Sequence, residues 1–163
     1  MTHYKLEKYL SSLDHFSQEM SQLAATINND LPMFNPPDEL HQHVVDMHQH
    51  VCVMISGVNS AADQIRTALK QPTTQTTQEL VAKTFLVQKD LWQELYEMAA
   101  PLRGHLGKIH VGLLFISISD ALKASNDTLE KMGHLGNEYI HSMSEPQGTS
   151  WFSKFFSEKT RKK

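Results

Sequence analysis

Apolar residues recur along the first thirty positions at Leu6, Tyr9, Leu13, Phe16, Met20, Leu23 and Ile27, in alternating steps of three and four. With 3.6 residues per helical turn, that spacing puts them on one face and predicts an amphipathic helix. Asn28 to Pro37 holds three prolines. Proline lacks an amide hydrogen and restricts the residue before it, so a loop is expected here. Asn35, Pro36, Pro37 and Asp38 then read as a helix start, with a side-chain acceptor, prolines suited to a first turn and an acid near the positive end of the dipole.

The same three-four rhythm resumes at Leu40, Val44, Met47, Val51, Met54, Val58, Ala61, Ile65 and Ala68 and stops before Pro72, which predicts the longest helix of the chain. Gly57 and the small residues from Asn59 to Ala62 point to a bend or to the close approach of a neighbour. Gln71 to Gln78 is a polar connection in which Thr76 and Glu79 have capping-box spacing. A third helix carries a wider stripe of Val81, Thr84, Phe85, Gln88, Leu91, Trp92, Leu95, Met98 and Ala99, enough for two neighbours, and ends near Pro101 and Gly104.

The fourth pattern runs from about Gly107 through Val111, Phe115, Ile118, Leu122, Ser125, Leu129 and Met132 and on to Tyr139 and Met143. Its run Val111 to Ile118 would suit a buried strand, but no second candidate strand exists to pair with it, so it reads as the most buried helix. Gly-His-Leu-Gly occurs twice, at Gly104 to Gly107 and at Gly133 to Gly136, and both copies read as helix punctuation. Four amphipathic segments with short connections predict an all-α, antiparallel up-down-up-down four-helix bundle over residues 1–143. Residues 144–149, with Pro146 and Gly148, read as a linker to a C-terminal tail, 150–163.

That tail changes the picture. It holds Trp151, Phe152, Phe155 and Phe156, four of the thirteen aromatics, with Lys154, Lys159, Arg161, Lys162 and Lys163. Its net charge is +4, five bases against one acid, whereas residues 1–149 carry −7, ten bases against seventeen acids. As a helix it would gather the aromatics on one face with bases at the flanks. Such a segment suits the groove of a protein partner, an anionic membrane surface, or the open end of its own bundle. Partner docking is preferred, because stable lipid anchoring needs two signals.

The acidic body excludes a nucleic-acid-binding face, which needs clustered Lys and Arg. The single cysteine, Cys52, permits no internal disulfide and reads as a small, partly packed residue in a reducing compartment. The first eight residues lack a secretory pattern, and the longest apolar run is far shorter than the roughly 20 residues that span a bilayer. The expected location is cytoplasmic, with any membrane attachment peripheral.

Ten histidines are the strongest hint of chemistry, with His41, His43, His48 and His50 inside ten positions. One helix face offers a metal two ligands only at spacing three or four, and no two histidines here have that spacing. The four read as polar residues flanking the apolar seam, with metal binding or pH response as lesser alternatives, and His15, His134 and His141 as outward facing. No nucleophile, base and orienting acid assemble, and Gly104 to Lys108 departs from a phosphate loop by its first glycine and by Ile109. The sequence therefore predicts a non-enzymatic adaptor or scaffold without a cofactor, binding another protein through helical faces and its tail, while its long helices would also suit a homodimer.

Overall fold

The computed structural model describes residues 2–34, 38–70 and 75–143. Four helices account for almost all of them: α1 (Thr2–Asp30), α2 (His41–Ala68), α3 (Gln75–Ala99) and α4 (Ile109–Met143), with no strand among the described residues. Short 3-10 turns follow α1 at Leu31–Phe34 and α3 at Ala100–His105. Each helix packs on its sequence neighbours and α4 closes the ring against α1. The helices run antiparallel: Ser17 donates to Asn59 and Arg66 to Asp14 across α1 and α2, and Trp92 donates to Ser125 across α3 and α4. The predicted all-α four-helix bundle is the observed fold.

The heptad positions make the core. Leu6, Tyr9, Leu13, Phe16, Met20, Leu23 and Ile27 are all buried, as are Val44, Met47, Val51, Met54, Val58 and Ile65 on α2. Burial of one such side chain contributes roughly 1.5–3 kcal/mol, so α1 is held by its apolar face and needs no charge at its ends. The Tyr9 hydroxyl is a polar group within this seam; it donates to the Val81 carbonyl at 2.9 Å, and burial pushes its ionisation far above the usual phenol range.

Several boundaries differ from the sequence reading. α1 continues through Asn28 and Asn29 to Asp30, and Leu31–Phe34 turns as a 3-10 helix around Pro32, so the expected loop is largely helical. α2 starts at His41, not at Asn35–Pro37, which lie outside the described residues. Its N-cap position is Leu40, which supplies no side-chain cap, and just before the helix Asp38 Oδ1 accepts from the Leu40 amide at 2.9 Å. α3 already includes Gln75, which leaves Thr76 inside the first turn rather than at a capping-box N-cap.

The longest helix is α4, with 35 residues against 28 in α2. Its length follows from the second Gly-His-Leu-Gly, which does not punctuate the helix. Gly133 faces Phe85, whose ring would lie 2.9 Å from an added Cβ, and Gly136 faces Val81 and Tyr9 at 3.1 and 3.2 Å. These glycines let α4 approach α3 and α1. The first copy does mark a boundary: Gly104 lies in the 3-10 turn, Gly107 in the turn before α4, and neither has a neighbour within 4 Å of a Cβ position. Gly57 gives the close approach foreseen for α2, with Gln88 Nε2 3.0 Å from its Cβ position.

Candidate docking surface

The run Val111 to Ile118 is not uniformly buried. Val111, Leu114 and Ile118 enter the core, but Leu113 and Ile116 are 60 % and 59 % exposed, and Ile109 at the start of α4 is 80 % exposed. An apolar run on a helix supplies two opposite faces, and this bundle covers only one. With Leu106, these residues line the outward side of the start of α4.

Beside that stripe, α3 and α4 diverge into an open cleft of about 330 Å³ lined by Trp92, Tyr96, Arg103, Phe115, Lys123 and Asn126, among others. The sequence places Trp92 and Tyr96 one turn apart on α3, and their rings stack at 5.9 Å with an interplanar angle of 18°. The Trp92 Nε1 hydrogen goes to Ser125 Oγ at 2.9 Å, which fixes the indole as one wall. Arg103, brought over by the 3-10 turn that follows α3, lies 5.6 Å from the Phe115 ring centroid. Stacked aromatics bury much area at low entropic cost, and two cations at the rim attract an anionic group.

The histidines are distributed rather than clustered. His43 Nε2 donates to the Met98 carbonyl at 2.5 Å, and His50 Nε2 to the Leu91 carbonyl at 2.7 Å. A carbonyl only accepts, so in both rings Nε2 carries the hydrogen. Donors seven apart on α2 meet acceptors seven apart on α3, which fixes the register of this antiparallel pair. His41 Nδ1 donates to the Phe34 carbonyl at 2.5 Å, and His48 Nδ1 lies 3.9 Å from Cys52 Sγ. Three of the four predicted flank residues thus tie neighbouring segments together, and none of the four shares a metal-like cluster with two other His, Cys, Asp or Glu among the described residues. His15, His134 and His141 are exposed as expected, and Glu19, whose carboxylate is 3.7 Å from His15, is 16 % exposed. Cys52 is exposed rather than partly packed.

A second set of histidines joins two connections at the same end of the bundle as the stripe. His105 Nδ1 lies 3.3 Å from Glu39 Oε1, and His110 Nε2 lies 3.6 Å from Asp38 Oδ2 while its ring meets Phe34 edge-on at 4.8 Å. The Leu40 amide, followed by Lys108 and His110, holds the Asp38 carboxyl below the usual carboxylate range. These contacts tether the segment that presents Leu106 and Ile109.

The tail residues Trp151, Phe152, Lys154, Phe155, Phe156, Lys159, Arg161, Lys162 and Lys163 lie outside the described residues, as does the linker 144–149. No described helix is long and apolar enough to cross a membrane. Comparison of the chain with protein-family models, with curated proteins and with solved structures returns no match, so the functional reading stands on geometry.

Proposed function

We propose that the chain is a non-catalytic adaptor that binds an acidic, apolar segment of another protein in the α3–α4 cleft. The observation that carries this reading is the stacked Trp92–Tyr96 pair facing Phe115 beneath Arg103 and Lys123. Buried aromatic and arginine anchors are the side chains that dominate protein interfaces. The basic tail supplies a second element of opposite charge to the body, and sequence alone supports its role in docking.

The test titrates the full chain with a labelled helical peptide carrying leucine or phenylalanine at i and i+4 between glutamates, and with its lysine-for-glutamate counterpart. The acidic peptide is expected to bind and to change Trp92 emission. Tyr96→Ala and Arg103→Glu are each expected to weaken it at least tenfold, which is about 1.4 kcal/mol. Equal binding of both peptides, or binding indifferent to these substitutions, would sink the proposal.

A further inference from the structure

We infer that the exposed stripe at the start of α4 is covered by a second copy of this chain, packed antiparallel across a two-fold axis beside Val111. Nine large apolar side chains are markedly exposed among the described residues, and four of them, Leu106, Ile109, Leu113 and Ile116, fall within eleven positions. A concentration of this kind marks an interaction site, whereas scattered exposure does not.

Three observations select a second copy as the occupant. The apolar positions are spaced three, four, three, a sequence of steps that reads the same in either direction. An isologous interface must match itself, and a two-fold axis near Val111 sets Ile109 against Leu113 of the second copy and Leu106 against Ile116 of the second copy.

The extent of the stripe matches the same axis. α4 begins at one end of the bundle, just after the 3-10 turn Ala100–His105. Rotation about Val111 brings that turn opposite residues 117–122, where the overlap of the two bundles runs out. The outward face becomes polar there: Asp120, Lys123, Asp127, Lys131, His134 and Glu138 are all exposed.

Charge selects the direction. Parallel packing would align α4 with its copy along the polar part of this face and set Asp120, Lys123, Asp127 and Lys131 each against its own like charge. Antiparallel packing about Val111 ends before most of these positions and avoids those repulsions. The four side chains form a small interface, so a reversible, concentration-dependent dimer is expected.

The experiment measures the mass of the full chain by sedimentation equilibrium from about 1 μM to about 500 μM, the range in which a small interface associates. The wild type is expected to pass from one copy to two. Leu113→Glu, and independently Ile109→Ser, are expected to raise the dissociation constant at least tenfold while helical circular dichroism and melting stay as in the wild type. Lys131→Glu, on the polar part of the same face, is expected to associate like the wild type. A wild type that stays a single copy throughout, or association unaffected at Leu113 and Ile109, overturns the inference. So does loss of association in a chain ending at Gly148, which would assign the stripe to the tail, or capture of a different protein on the stripe by a chain that remains monomeric.

Discussion

At the scale of single residues, two identical tetrapeptides do different jobs, and the difference lies in what surrounds them. Gly133 sits in the middle of α4, where alanine would gain up to about 1 kcal/mol of helix propensity. The added methyl would nevertheless meet the buried Phe85 ring at 2.9 Å, and a ring enclosed by core has little room to yield. Gly133→Ala is expected to destabilise by about 1–3 kcal/mol net, because overpacking outweighs propensity. Gly104→Ala meets nothing within 4 Å and is expected to change stability by less than about 0.5 kcal/mol. Urea denaturation of the two variants separates these roles, and equal effects would show that Gly133 is not a packing residue. This distinction was not legible in sequence, because a glycine that ends a helix and one that admits a neighbour look alike until the neighbour is placed. The apolar seam was legible: Leu6 to Ile27 and Leu40 to Ile65 needed only periodicity.

At the scale of elements, the connections at one bundle end are held by polar contacts. Asp38 both accepts from the Leu40 amide just before α2 and faces His110 at the start of α4. Its carboxyl is held below the ordinary range in the folded chain, so its ionised form stabilises the fold. That contribution is fully present above the unfolded carboxyl value of about 4 and is lost as pH falls through the lowered folded value. Asp38→Asn should therefore melt at lower temperature than the wild type at pH 6, and the difference should shrink as pH falls below about 4. Melting curves between pH 6 and 2.5 check this, and a constant gap would show that ionisation of Asp38 contributes nothing. The sequence placed an acid near the start of α2 but could not find His110, seventy-two positions away, as its partner. The exposed stripe was hidden for a similar reason: residues 111–118 are apolar on both sides, and periodicity cannot say which side the bundle covers. The cleft needed the adjacency of α3 and α4, which brings Phe115 and Lys123 to Trp92 and Tyr96.

At the scale of the whole molecule, cleft and stripe lie at the same end of the bundle, whereas α4 delivers the tail at the other. At 1.5 Å per residue, about 25 Å of helix separates Met143 from the Asn126 level of the cleft and about 32 Å from the Leu122 level. Six linker residues at full extension reach about 20 Å, so Trp151 at the start of a compact tail helix lies short of the Leu122 level. Two roles suit a tail that follows this end of α4, a lid on the end of the bundle nearest Tyr9 and Tyr139 or an outward docking element. The chain has two tryptophans, and Trp92 is fixed in the cleft wall by Ser125. A chain ending at Gly148 therefore emits from Trp92 alone, and subtracting its spectrum from that of the full chain isolates Trp151. For a docking tail, the difference spectrum is expected to be that of solvent-exposed indole, quenched readily by iodide, with truncation leaving the melting temperature unchanged. A lid would instead give buried emission and a lower melting temperature on truncation. Co-sedimentation with vesicles of anionic lipid separates the remaining targets: retention of the full chain and not of the truncated one, abolished by added salt, would give the tail to a membrane surface rather than to a protein.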